Sequence, residues 1–130
     1  MKLIRFDKEK HYNLINMWWK EHKHNSMERD SLSPFGFIVY NNNTPICASF
    51  LYIMAGCNLG QIAWTTTNPK AGLKEKYNAI NFCIEGLLAL ANHYNIKNII
   101  SLSNSKGLTK LIQKKNFRTV DKHTLLCGGF

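Results

Sequence analysis

Gln61-Ile-Ala-Trp-Thr-Thr-Thr67 followed by Asn68-Pro69 is a strand that stops abruptly, and the most regular pattern in the chain comes soon after it. Ile80, Cys83, Ile84, Leu87, Leu88 and Ala91 fall at i, i+3, i+4, i+7, i+8 and i+11, a single apolar stripe on a helix with one buried face. Lys97-Asn-Ile-Ile-Ser-Leu-Ser103 then alternates as another strand. A strand, a crossover helix and a strand of one sheet come out parallel and adjacent. This stretch therefore predicts a parallel pair with a helix laid across it, and Lys70 to Lys74 is expected to be the loop between.

Toward the N-terminus, Lys2 to Phe6 reads as a short strand. Asp7 is placed to cap a helix from Lys8 to about His22, with Leu14, Ile15 and Trp18 as its inner stripe and Trp19 at the margin. His22 to Ser33 is polar and irregular. Gly36 to Tyr40 and Ile46 to Met54 are strand-like, joined by Asn41-Asn-Asn-Thr-Pro45, whose residues favour a hairpin turn. Gly56-Cys-Asn-Leu-Gly60 is a second turn, so the three middle strands form an antiparallel meander. Trp64 alternates with Ile62 and Thr66, which predicts one shared face.

Toward the C-terminus, Asn104 or Ser105 is placed to cap a short helix. It turns Leu108, Leu111 and Ile112 inward and Lys106, Lys110, Gln113 and Lys114 outward. Phe117 to Leu126 is expected to be a last strand, and Cys127-Gly-Gly-Phe130 a tail. An edge strand near Leu125 to Phe130 could pair with a second copy, so monomer and homodimer both stay open. The whole is an α/β (α+β) arrangement, a mixed sheet whose antiparallel front half meets a parallel pair, with helices on both faces.

Composition bounds the rest. A chain of 130 residues, 45% apolar and 12% aromatic, is expected to fold as one domain over residues 1–130. At that size folding buries roughly two-thirds of the chain's surface, so no metal or disulfide is needed for stability. Cys47, Cys57, Cys83 and Cys127 lie far apart with no Cys-x-x-Cys pair, which fits reduced, buried thiols. His22 and His24 have no third ligand spaced near them, so no metal site is expected. Met1-Lys-Leu-Ile-Arg-Phe-Asp7 is not a leader, and the longest apolar run, Ile46 to Gly56, is too short for a membrane span. A soluble, cytoplasmic protein with no membrane partner is the expectation.

The charge is +9, and it is unevenly placed. Residues 1–30 hold seven basic and five acidic side chains, whereas Ser31 to Pro69 carries none. Lys70, Lys74 and Lys76 then surround Glu75, and seven basic residues from Lys97 to Lys122 face only Asp121. A positive second half attracts polyanions, whether a nucleotide cofactor, a nucleic acid or an acidic protein.

The order of elements, with particular residues, resembles the GNAT superfamily of acetyl-CoA-dependent N-acyltransferases over nearly the whole chain. The resembling pieces are the hairpin around Asn43-Thr-Pro-Ile-Cys-Ala-Ser-Phe50, the strand ending in Asn68-Pro69, the helix from Ala79 to Ala91 ending in His93-Tyr-Asn-Ile96, then Asn104 and the helix finishing in Lys115-Asn-Phe117. Within the superfamily the chain is most similar to the small GNAT-like proteins of tailed phages. The resemblance implies an acyl-CoA, with its pantetheine arm lying between the strand ending at Thr67 and the strand starting near Lys97. It puts the pyrophosphate over the start of the following helix, where helix N–H groups favour an anion. The cofactor contacts implied are Thr66, Thr67, Lys74, Lys76, Tyr77, Asn78 and Asn104. Relatives usually carry an Arg/Gln-x-x-Gly-x-Gly/Ala loop there; this chain has Lys74-Glu-Lys-Tyr-Asn-Ala79, with Tyr77 where Gly is expected.

Acyl transfer to an amine needs a proton acceptor for the incoming ammonium and a proton donor for the leaving thiolate. Relatives often carry Glu where this chain has Gln61, and Tyr where it has Ile112. Tyr77 and Ser103 are the candidate catalytic residues in their stead; Tyr94, His93 and Ser101 are the other protic side chains in range. The expected function is a GNAT-like N-acyltransferase acting on an amine. A GNAT-fold binding protein without activity and a phage enzyme modifying a DNA base are the alternatives.

Overall fold

The computed structural model describes residues 1–101, 106–115 and 117. Two compact units divide the chain after Ile100. The first holds β1 (Lys2–Arg5), α1 (Lys8–Glu21), a single 3-10 turn (Arg29–Ser31), β2 (Phe35–Asn41), β3 (Thr44–Ile53), β4 (Leu59–Thr67), α2 (Leu73–His93) and the start of β5 (Asn98–Ser101). The described part of the second unit is Ser101, α3 (Lys106–Gln113), Lys114, Lys115 and Phe117. In α3, Leu111 and Ile112 are buried, Leu108 is half-buried, and Lys110, Gln113 and Lys114 are exposed, as the helical spacing predicts. The expected last strand and tail lie outside the described residues, apart from Phe117.

The sheet is mixed, in the order β1-β2-β3-β4-β5, antiparallel from β1 to β4 and parallel between β4 and β5. The hairpin between β2 and β3 is tighter than the turn residues suggest: Asn41 pairs Thr44, and Asn42 takes the left-handed conformation with φ of 57°. Residues facing each other across an antiparallel ladder share a side. Ile38 opposite Ala48 and Phe50 opposite Ala63 put one face over α1, where Ile15, Trp18 and Trp19 are buried. Val39 opposite Cys47 puts the other face over α2, against Ala79 and Cys83. The two helices therefore cover opposite faces of the sheet. Each large side chain taken out of water contributes about 1.5–3 kcal/mol. Trp19, expected at the margin of α1, is as deeply buried as Trp18, because the apolar arc of the helix is wide enough for Leu14 to be the half-buried edge.

Both main helices are closed by their own chemistry. Asp7 accepts a hydrogen bond from the Glu9 amide at 2.9 Å, and its own amide donates to His11 Nδ1 at 2.9 Å, a reciprocal cap at the start of α1. At the far end Lys23 turns left-handed (φ 59°), its amide reaching Lys20 O at 3.0 Å and the His24 amide reaching Trp19 O at 2.9 Å. That double return is a Schellman motif, and it sets His22 and His24 in place. α2 ends the same way, with Asn95 left-handed and the Ile96 amide on Ala91 O at 3.0 Å.

α2 begins at Leu73, well before the Ala79 that the resembling helix suggested. Leu73 to Asn78 contains good helix formers and neither Gly nor Pro, so nothing in it holds a loop open, and Gly72 becomes the N-cap. Lys74 to Ala79 is helix rather than a tight loop.

Candidate functional site: the outer edge of β4 and the start of α2

Ala48 pairs with Thr66 and Phe50 with Ala63, so Trp64 and Thr65 on β4 stand opposite Ser49 alone. Two residues against one is a β-bulge. Trp64 carries it, with a left-handed φ of 59°, and the Ser49 and Thr65 hydroxyls hydrogen-bond across it at 2.7 Å. The bulge breaks the alternation expected from the sequence. Ile62 pairs Leu51, facing away from α1, whereas Trp64 packs beside Trp19 with ring centroids 6.3 Å apart. Thr66 is buried on the α1 side, and its hydroxyl has no hydrogen-bond partner among the described residues.

Beyond the bulge, the Asn68 amide donates to Ile46 O of β3 at 2.7 Å. Peptide groups alternate along a strand, so the N–H and C=O of Thr67 point the other way, out from the β3 side. The amides of Lys97 and Asn98 both reach Asn58 O, at 2.9 and 3.2 Å. β5 thus starts level with β4, its neighbour in the sheet. His22 Nε2 lies 2.8 Å from Thr67 O and 3.2 Å from Thr67 Oγ1. Its ring stacks on His24, centroids 5.4 Å apart and planes 20° from parallel.

The turn into α2 is tied by Asn68, whose side-chain oxygen accepts the Lys70 amide at 3.0 Å and whose amide group donates to Pro45 O at 3.1 Å. Gly72 offers no capping side chain. The first N–H groups of a helix have no partner within it, so Leu73, Lys74 and Glu75 present donors at the positive end of the helix dipole. Glu75, in that first turn, is held to the side by Asn41, whose amide donates to its carboxylate at 2.6 Å.

The residues singled out in the sequence are distributed as follows. Thr66 and Thr67 stand at the end of β4, and Lys74 and Lys76 in the first turn of α2. Lys74 is exposed in the first turn, and Lys76 is half-buried with its ammonium donating to Pro69 O at 3.4 Å. Tyr77 and Asn78 are exposed in the second turn, where their amides are taken up by the helix ladder, so any part they have in binding belongs to their side chains. Ser103 and Asn104 lie outside the described residues. Gln61 sits before the bulge, paired with Tyr52. Tyr94 and His93 are exposed at the opposite end of α2, with Tyr94 packed on Phe35 at 5.1 Å. Ser101 closes β5. Among the described residues no three His, Cys, Asp or Glu side chains gather as a metal site. No described helix is long and apolar enough to cross a membrane. Cys47 and Cys83 are buried thiols, but Cys57 is exposed, because it lies in the turn between Ile53 at the end of β3 and Leu59 at the start of β4.

His22 on the outer edge of β4 was not legible as a site residue. The sequence shows only a histidine after a helix, and the Schellman geometry that aims it depends on Lys23 turning left-handed without Gly.

Solved structures share this architecture. Rv2747 of Mycobacterium tuberculosis, solved with CoA, matches over 97% of this chain and 76% of its own, with a TM-score of 0.74 and 10% identity. The fold is that of the GNAT acetyltransferases. A predicted acetyltransferase of Clostridium acetobutylicum, solved with acetyl-CoA, matches over 97% of this chain and 95% of its own at 15% identity, TM-score 0.64. An aminoglycoside acetyltransferase from an uncultured soil metagenomic sample, solved with sisomicin, matches over 99% and 94% at 10% identity, TM-score 0.64. No protein-family model and no curated protein sequence matches the chain.

Proposed function

We propose that this GNAT-fold chain is an N-acyltransferase that takes an acyl group from acetyl-CoA or a related thioester and gives it to an amine. The observation that carries this reading is the junction of β4 and α2, where an outward-facing strand edge is followed, after the short turn of residues 68–72, by a helix start that no side chain caps. A pantetheine arm is a chain of amides and can pair with the Thr67 edge as an added strand would. The diphosphate end then meets the donors of Leu73, Lys74 and Glu75. Lysines in a first turn oppose the helix dipole by a few tenths of a kcal/mol, and a bound anion reverses the sign of that term. The two neighbours solved with CoA and acetyl-CoA support the same class of ligand.

With Gln61 at the usual carboxylate position, positioning of the two reactants supplies most of the rate in this reading. The thioester is held along β4, and the amine enters from the side of the loop after α1. The charge of +9 favours an acceptor carried on a polyanion, such as an amine of a nucleic-acid base, which also suits the phage-like resemblance. Tyr77 and Ser103 stay the candidate proton carriers for the departing thiolate.

Isothermal calorimetry with acetyl-CoA tests the reading. We expect micromolar binding, weakened about tenfold by Lys74→Glu, equivalent to about 1.4 kcal/mol. No heat with the unmodified protein overturns it and leaves a GNAT-fold binding protein. DNA retardation that fades steeply with salt would favour the polyanionic acceptor.

A further inference from the structure

We propose that His22 is the proton acceptor for the incoming amine and that the Thr67 carbonyl is what prepares it. The inference rests on the acyltransferase reading above and supplies a group which that reading lacks.

A backbone carbonyl can only accept a hydrogen bond, so at 2.8 Å from Thr67 O the His22 Nε2 must carry the hydrogen. A neutral imidazole has one N–H, which leaves the lone pair on Nδ1. The ring is therefore held in one tautomer with its basic nitrogen turned from the strand. Three further features fix it. Thr67 Oγ1 stands 3.2 Å from the same Nε2, the His24 ring lies nearly parallel against its face, and the Schellman turn anchors the backbone of both. A base oriented by a hydrogen bond from its other nitrogen is the arrangement that acid–base chemistry requires.

The position matches the need. Thr67 is the residue whose peptide group faces out from β3, two residues beyond the bulge and just before the turn into α2, so a thioester lying along β4 passes beside the imidazole. A carbonyl oxygen has two lone pairs, and Thr67 O can keep the imidazole while accepting an N–H from the bound arm.

The step balances without another reagent. Nδ1 takes a proton from the acceptor's ammonium, and the amine nitrogen attacks the thioester carbon to form the C–N bond. The C–S bond breaks, and the sulfur leaves as thiolate, which takes up the second proton that the attacking nitrogen sheds as the amide forms. His22 then holds a proton on each ring nitrogen, its Nε2–H bond to Thr67 O strengthened by the positive charge, and releases the Nδ1 proton to solvent.

Bromoacetyl-CoA is the probe, since it carries an electrophilic carbon where the acyl group would lie and needs no acceptor. Nδ1 displaces bromide, forming a C–N bond as the C–Br bond breaks. We expect one adduct, mapped by peptide mass spectrometry to His22. It should be lost in His22→Gln, whose side-chain N–H can still reach Thr67 O, while calorimetric affinity for CoA changes less than about threefold. CoA binding with alkylation elsewhere, or at an unchanged rate in His22→Gln, overturns the role of His22 and leaves the acyltransferase reading standing. Absence of CoA binding overturns both. Nitrogen-15 NMR gives an independent check: an Nδ1–H tautomer at His22 overturns the proposal whatever CoA does.

Discussion

His11 shows how one side chain ties local structure to pH. Its Nδ1 accepts the Asp7 amide, so only the neutral ring completes the cap of α1. Burial lowers its proton affinity below that of an ordinary histidine, as does Lys10 to a smaller degree, and the charge of Asp7 only partly opposes this. A group whose folded pKa is depressed contributes stability that is present above the unfolded value and lost on acidification. Stability to urea should fall as pH drops from about 7 toward 5.5, the window below the ordinary histidine value near 6.5. His11→Gln should flatten that slope. A wild-type slope that survives the substitution would assign it to another group.

The α1 terminus carries a parallel lesson for elements. Lys23 adopts a left-handed backbone that costs a residue with a side chain about 1 kcal/mol more than glycine. Lys23→Gly should raise unfolding stability by about 0.5–1 kcal/mol, measured by chemical denaturation, and leave the His22 contact with Thr67 in place. A loss of stability would show that the lysine side chain contributes something other than backbone geometry. The elements themselves were largely legible. The stripe from Ile80 to Ala91 is a periodicity that burial imposes, and it appears in the fold. What was not legible depends on register or on competition between neighbours. The bulge at Trp64 arises from a mismatch with Ser49 that no local pattern announces, and it leaves Ile62 on the opposite face from Trp64 and Thr66. The early start of α2 follows from the missing glycines of Lys74 to Ala79, whose helix-forming residues hold no loop open.

At the scale of the molecule, the sheet separates two kinds of surface. The uncharged stretch from Ser31 to Pro69 supplies β2, β3 and β4, whose buried faces are covered by α1 on one side and α2 on the other. Charge resumes at Lys70, where β4 gives way to α2, so the first cationic group after the core stands at the open end of the helix. The three tryptophans belong to the α1 side of this arrangement. Trp18 and Trp19 are almost fully shielded, and Trp64 alone keeps partial contact with solvent, at the very residue that bends β4. The molecule thus carries its own optical gauge. Occupation of the strand edge should move the red part of the indole emission while the blue part stays constant, and Trp64→Phe should silence the change without abolishing occupancy.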